Sequence, residues 1–261
     1  HHGRQHHAYG RKKFMFRKVH DKFGGKFTGC ISGGAPLDVN VGKFFQTIGI
    51  RVFQGYGLTE TSPVASINVD RHWDVASVGK PIKSFQAKVD SESGELLLKG
   101  PSVMKGYHNQ PELTAQVIDE DGWFHTGDIA EIKNGGHIYI TGRIKNMIVL
   151  SGGKKVFPEE VEAVLGKSSL ISEVCVFGLS RTFGSKDGTE EIATVVVPKK
   201  EIVDKYNDEE LEKVMKAEVK QLSTHLTAYK RPVNVTISKE PLPKTATNKV
   251  KRKEVKALAQ V

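Results

Sequence analysis

The stretch from residue 26 to residue 56 limits what this chain can fold into more than any other. The run Lys26-Phe27-Thr28-Gly29-Cys30-Ile31-Ser32 reads as a short buried strand that enters a turn at Gly33-Gly34-Ala35-Pro36. Residues 38–48 then place Val41, Phe44, Phe45 and Ile48 at helical spacing, with Asp38 suited to cap the helix and Gly49 to stop it. Residues 50–54 return to strand character. A strand, a helix and a strand in succession predict a parallel pair with the helix packed across it.

The rest of the chain is organised around that unit. Upstream, Phe16, Val19, His20 and Phe23 fall at helical spacing. From residue 77 onward the texture changes to short alternating strands, at 87–90, 94–99, 129–133 and 137–141, with Asn134-Gly135-Gly136 as a turn. This predicts a small, barrel-like β subdomain. Arg143-Ile144-Lys145-Asn146 is a charged connector without hydrophobic period, so a boundary is expected there, between a piece at 1–142 and a second at 147–261. The second piece reads as a strand at 147–150 and then a helix from Pro158, whose proline and following acids suit a helix N-terminus. Strands at 173–179 and 192–198, an amphipathic helix at 208–225 and a strand at 232–238 complete it. The fold class is therefore α/β followed by a compact α+β domain.

Composition matters here mainly for what it removes. Apolar residues make up 38% and charged residues 26%, the range of folded globular chains. The wholly apolar stretches are short, so no membrane-spanning helix is expected. Residues 1–20 carry no secretory signal core, and Cys30 and Cys175 have no metal-ligand spacing, so a reducing, cytoplasmic setting is expected. The net charge of +9 sits at the ends: residues 1–26 hold eight basic and one acidic side chain, and residues 239–261 hold seven and two. A body without net positive charge is a weak footprint for nucleic acid, and none is expected as a partner. The four histidines among His1 to His7 are assigned no role.

The loop Gly55-Tyr56-Gly57-Leu58-Thr59-Glu60-Thr61 follows the second strand, at the end where α/β sheets bind ligands. Its glycines admit close backbone approach, Tyr56 offers an aromatic face, Thr59 and Thr61 offer hydroxyls, and Glu60 is a ligand suited to a hard cation. A polar surface turn is the plainer reading of this loop taken alone.

Five segments in order change that weighing: Ser32-Gly33-Gly34-Ala35-Pro36, Gly55 to Thr61, Trp123-Phe124-His125-Thr126-Gly127-Asp128, Gly142-Arg143-Ile144-Lys145 and Ser151-Gly152-Gly153. Together they resemble the adenylate-forming acyl-CoA synthetase family, over residues 26–253. Thr59-Glu60-Thr61-Ser62-Pro63 and Ser77-Val78-Gly79-Lys80-Pro81 look most like long-chain fatty acid CoA ligases. The resemblance implies ATP, Mg²⁺ and CoA, with a fatty acid joined first to AMP and then to the CoA thiol. It implies Glu60 on Mg²⁺ and Thr59 on phosphate oxygen. Gly34, Ala35, Pro36, Tyr56 and Gly57 would flank the adenine, and Asp128 would accept from the ribose hydroxyls with Arg143 nearby.

In the second domain the resemblance implies Lys249 as the lysine that reaches the reacting carboxylate and the α-phosphate, with Lys244 as second choice. Lys145 would be a hinge within 143–146, and Ser151, Gly152 and Gly153 would line the path of the CoA arm. Lys251 to Lys253 read as a solvated basic tail. One departure from the family pattern is Asn248, where a glycine usually precedes the lysine.

The family's phosphate-cradling loop, rich in Ser, Thr and Gly and ending in Pro-Lys, is not among these residues. The chain is therefore expected to be the C-terminal half of a larger enzyme, incomplete for catalysis alone. Two other readings stay open: the same adenylation on an aryl acid or with a carrier-protein acceptor, and a non-catalytic nucleotide-binding fragment. Peripheral contact with a membrane surface is left open, and oligomeric state is unassigned.

Overall fold

The computed structural model describes residues 12, 14–68, 74–180, 190–246 and 248–259. The histidine-rich start and Thr247 lie outside them. The chain divides into two compact units, one of His1–Thr126 with Ala130–Ile140 and one of Gly127–Ile129 with Thr141–Val261.

In the first unit, helix α1 (Arg17–Lys22) precedes strand β1 (Gly29–Ser32), helix α2 (Val39–Thr47) and strand β2 (Arg51–Tyr56). β1 and β2 pair in parallel, with Gly29 opposite Arg51 and Ser32 opposite Gln54. Asp38 caps α2 as expected: its Oδ1 accepts from the backbone N–H groups of Asn40 at 2.8 Å and Val41 at 2.9 Å. Gly49 ends the helix at φ +84°. The apolar face of α2 is only partly used, since Ile48 is buried while Val41 and Phe44 are 45% and 57% exposed. Two short antiparallel strands, β3 (Ser66–Ile67) and β4 (Lys80–Pro81), extend the sheet in the order β1-β2-β3-β4.

The alternating stretch forms a second four-stranded sheet in sequence order: β5 (Gln86–Val89), β6 (Glu95–Lys99), β7 (Phe124–Lys133) and β8 (His137–Arg143). Helix α3 (Pro111–Val117), which carries no clear apolar period, stands between β6 and β7. β7 begins at Phe124, earlier than its alternation from residue 129 indicates. Asn134, Gly135 and Gly136 all take positive φ, which makes the β7–β8 turn. Residue 79 bridges to Ile138, so the end of the sheet at β8 meets the chain just before β4. Ala65, Phe85, Leu96, Leu98, Ala130 and Ile138 form the core.

The second unit is built on a sheet of β11 (Ile171–Ser180), β12 (Glu190–Pro198) and β13 (Asn234–Ile237), with β12 in the middle, antiparallel to β11 and parallel to β13. A hairpin of β9 (Ile148–Val149) and β10 (Lys155–Val156) precedes it. One face of the sheet packs Val176, Ile192 and Val196 against Val161 and Leu165 of helix α4 (Pro158–Leu165). Short helix α5 (Lys200–Val203) leads into α6 (Asp208–Leu222), which adds Leu211, Met215 and Val219 at a four-residue spacing to the same cluster. Burial of each such side chain contributes about 1.5–3 kcal/mol. The other face places Cys175, Phe177, Ala193, Val195 and Val197 against Val255 of helix α7 (Arg252–Leu258). With helices on both faces β12 reads from Ile192 to Pro198 as an apolar run broken only by Thr194 instead of an alternation. No helix among the described residues is long and apolar enough to cross a membrane.

Helix α7 corrects the expectation for residues 251–253. Arg252 is not solvated: its side chain is 23% exposed and ion-paired to Glu162 and Glu159 of α4. It also donates to the carbonyl of Val176 at 2.6 Å. Burial works against its charge, but the Glu162 hydrogen bond together with the charges of Glu162, Cys175 and Glu159 outweighs burial, so its pKa is raised. Burial likewise pushes the Cys175 thiol up to about 11, Arg252 notwithstanding.

Candidate functional site

The Gly55 to Thr61 loop owes its shape to groups inside it. Gly57 faces the backbone of Pro63 so closely that a Cβ would drive into the Pro63 carbonyl. Thr61 is fully buried, and its hydroxyl accepts from Leu58 N–H at 2.9 Å and lies 2.7 Å from Pro63 O. The Thr61 hydroxyl thus satisfies the Leu58 N–H and the Pro63 carbonyl from inside the loop. Thr59–Thr61 makes one 3-10 turn, which leaves Thr59 exposed and Glu60 half-buried at its start.

Glu60 is held at both ends by one distant segment. Its carbonyl accepts from Met104 N–H at 2.8 Å, and its carboxylate Oε1 accepts from the Tyr107 hydroxyl at 2.9 Å. Burial first, and then the Glu60 hydrogen bond and charge, raise the pKa of Tyr107, so the phenol stays a donor. Tyr107 is the functional candidate that reading the sequence missed. It lies 47 residues from Glu60, and no local period reports a pair so far apart.

Tyr56 ends β2, half-buried against the core of the first unit. Gly34, Ala35 and Pro36 lie exposed after β1, with Gly34 at φ +80°. The side chain of Gln54 spans from Leu37 N–H, at 3.3 Å, to Val75 O, at 2.7 Å, and so ties this turn to the strand beside it.

The remaining candidates lie in the second unit. Asp128 is buried on β7, and Arg143 at the end of β8 donates through Nε to Oδ1 at 2.5 Å and through Nη2 to Oδ2 at 3.4 Å. The guanidinium thus meets both oxygens of the carboxylate. Lys145 is exposed within a 3-10 turn, Ile144–Asn146, and Asn146 donates to Glu159 Oε1 at 2.7 Å. Gly142 is buried against the Phe157 ring, 2.7 Å from where its Cβ would stand. Ser151, Gly152 and Gly153 are the exposed turn between β9 and β10; both glycines have positive φ and open space where a Cβ would point.

Lys249 is exposed on a loop closed by Thr245 N–H to Lys249 O at 2.8 Å and by Lys251 N–H to Pro243 O at 2.8 Å. Asn248 takes the left-handed conformation, φ +63°, that a glycine would take more easily. Lys244, the second choice, is occupied by Glu173 at 2.7 Å. Among the described residues the Lys249 ammonium has no partner.

A cation implied by the resemblance can be tested against the donors present. Among the described residues no group of three or more His, Cys, Asp or Glu side chains is placed to hold a metal. Glu60 offers one carboxylate oxygen beyond the one that meets Tyr107. This fits Mg²⁺, which binds through one or two carboxylates, substrate phosphates and water more often than in an all-protein cage.

The mixed α/β architecture is that of the adenylate-forming class of protein. The chain belongs to the AMP-binding enzyme family: residues 5–108 match the model of the AMP-binding enzyme, and residues 145–259 match that of the AMP-binding enzyme C-terminal domain. It is 35% identical over 230 residues to a chloroplastic long-chain-fatty-acid–[acyl-carrier-protein] ligase of Arabidopsis thaliana, covering 80% of this chain and 30% of the relative. It is 36% identical over 240 residues to a long-chain-fatty-acid–CoA ligase of Bacillus subtilis, covering 87% and 40%. Among solved structures it is similar to the o-succinylbenzoate coenzyme A synthetase of Bacillus subtilis in complex with ATP and magnesium ion. That match has a TM-score of 0.69 and 28% identity, and covers 87% of this chain and 46% of the other. The chain spans less than half the length of each of these relatives.

Proposed function

We propose that the protein carrying this chain activates a fatty acid with ATP to an acyl-adenylate, releasing pyrophosphate, and then passes the acyl group to the thiol of CoA. The observation that carries this reading is the state of Lys249. Its neighbours Lys244, Lys251 and Arg252 are engaged by Glu173, Glu254 and Glu162, while Lys249 stands exposed on a closed loop, its ammonium without a partner among the described residues. An ammonium held ready in this way suits a reaction that builds negative charge at a carboxylate and a phosphate.

In the first step a carboxylate oxygen of the acid bonds to the α-phosphorus, and the bond to pyrophosphate breaks. Lys249 would lie on the side of the reacting oxygens, and Asp128 would accept from the ribose hydroxyls. Thr59 would donate to a phosphate oxygen, with Gly34, Ala35, Pro36, Tyr56 and Gly57 around the base. Glu60 would hold Mg²⁺, which when bound neutralises the phosphate charge. In the second step the CoA sulfur bonds to the acyl carbon and AMP departs. Ser151, Gly152 and Gly153 would leave room for the CoA arm, and Lys145 would be the hinge between two placements of the small domain. The free cysteines Cys30 and Cys175 suit a cytoplasmic setting.

A second acceptor is favoured by one finding, the Arabidopsis relative named for an acyl-carrier protein. The deciding experiment uses the full-length protein and measures acid-dependent pyrophosphate release from MgATP without CoA. The acids run from acetate through palmitate to an aryl acid, with hydroxylamine to turn over the adenylate. Release is expected to peak with long acyl chains, and thioester is then sought with CoA and with a pantetheinylated carrier protein. No release with any acid, despite ATP binding, refutes the reading.

A further inference from the structure

Three observations concern the way Glu60 is gripped. First, both ends of the residue are held by the same short segment, since Met104 N–H meets its carbonyl at 2.8 Å and the Tyr107 hydroxyl meets its Oε1 at 2.9 Å. Second, that segment is itself locked. Gly106 takes φ +149°, and a Cβ there would stand 2.9 Å from the side chain of Thr114. The Thr114 hydroxyl accepts from Tyr107 N–H at 2.9 Å and lies 2.8 Å from Gln110 O. Third, the grip is one-sided: the structure gives Oε2 no partner among the described residues, while Oε1 has Tyr107.

A carboxylate gripped on one oxygen can give a cation only its other oxygen at full strength. This distinguishes hard cations, because Mg²⁺ demands near-octahedral geometry at short range and takes a carboxylate through one oxygen. Ca²⁺ is larger and accepts both oxygens of one carboxylate. The phenol also fixes the direction of Oε2, because a hydrogen bond to Oε1 holds the planar carboxylate against rotation.

We propose that Tyr107 is a positioning residue that reserves a single oxygen of Glu60 for the cation and so selects Mg²⁺ over Ca²⁺. This rests on the reading of Glu60 as the cation ligand, and it adds the source of its selectivity. Tyr107 touches neither nucleotide nor acid in this account; it acts through Glu60. Losing the hydroxyl frees Oε1, lets the carboxylate rotate and opens a two-oxygen mode that favours the larger ion.

The test is calorimetric and needs no turnover. ATP at saturation is bound to the full-length protein, and Mg²⁺ or Ca²⁺ is titrated into the complex, for the wild type, Tyr107→Phe, Thr114→Ala and Glu60→Gln. Tyr107→Phe is expected to weaken Mg²⁺ binding by about tenfold, the scale of a hydrogen bond to a charged group, while Ca²⁺ binding holds or tightens. Thr114→Ala loosens the same segment from behind, so it should shift the preference in the same direction by a smaller factor. It carries the test alone if Tyr107→Phe does not fold. An unchanged Mg²⁺ to Ca²⁺ preference in the folded variants, with Glu60→Gln weakened for both ions, overturns the role of Tyr107 and keeps Glu60. Indifference of Glu60→Gln to both ions overturns the ligand reading itself.

Discussion

The loop around Gly57 and the loop around Lys249 solve opposite problems with similar lengths of chain. The first is fixed from within: Gly57 is pressed against Pro63, Thr61 is fully buried, and its hydroxyl closes the turn. The second is closed by its own backbone, Thr245 N–H to Lys249 O and Asn248 N–H to Thr245 O, and anchored at its ends by Lys244 on Glu173 and by Arg252 on Glu162, but nothing packs over it: residues 244–246, 248 and 249 are exposed. The difference teaches where each side chain's precision comes from. Glu60 inherits its place from a backbone that has no alternative; Lys249 is carried to its place by anchors, with its own long side chain left to adapt.

Four substitutions break or sharpen this contrast. Gly57→Ala should have the largest effect, because the added methyl meets unyielding backbone at Pro63 and Ala65. A loss of about 3 kcal/mol is expected in urea unfolding, and wild-type stability would show that the loop is not fixed sterically. Arg252→Met comes next. It leaves Glu162 and Glu159 facing each other's charge without their partner, at a cost of about 3 kcal/mol. Hydrogen exchange should quicken across α7 before the rest of the second unit; uniform protection would mean that the anchor is not at Arg252.

Lys249→Ala should leave stability alone and change chemistry. Adenylation is expected to fall by about a hundredfold, with thioester formation from supplied acyl-adenylate close to that of the wild type. Equal loss in both steps would remove the assignment of Lys249. Asn248→Gly should have the smallest effect. Relief of the left-handed strain is offset by a more flexible unfolded chain, so stability should stay within about 0.5 kcal/mol. A large change would mean that the tip is as constrained as the Gly57 loop.

What the sequence made legible follows the same division. Features written by neighbouring residues were readable: the Asp38 cap, the Gly49 stop, the Asn134-Gly135-Gly136 turn and the proline that opens α4 all stand where local chemistry puts them. The early start of β7 was not, because Gly127 at φ +70° interrupts the alternation that marks a strand. Arg252 was misread for a related reason. A basic run looks solvated until the acids that face it, 90 and 93 residues earlier, are brought into contact. The glycine-rich loop and Lys249 could be located as motifs, whereas the Tyr107 hydroxyl on Glu60 could not.

The bare face of α2 has a practical side. Val41 and Phe44 stand one turn apart, both largely in solvent, with the Phe44 ring edge-on to Phe45 at 5.6 Å. Apolar side chains grouped in this way lower the colloidal stability of a protein more than its folding stability. Concentrated samples of this chain should therefore self-associate and bind hydrophobic dyes while still fully folded, and a charged residue at position 44 is the most economical remedy at the bench.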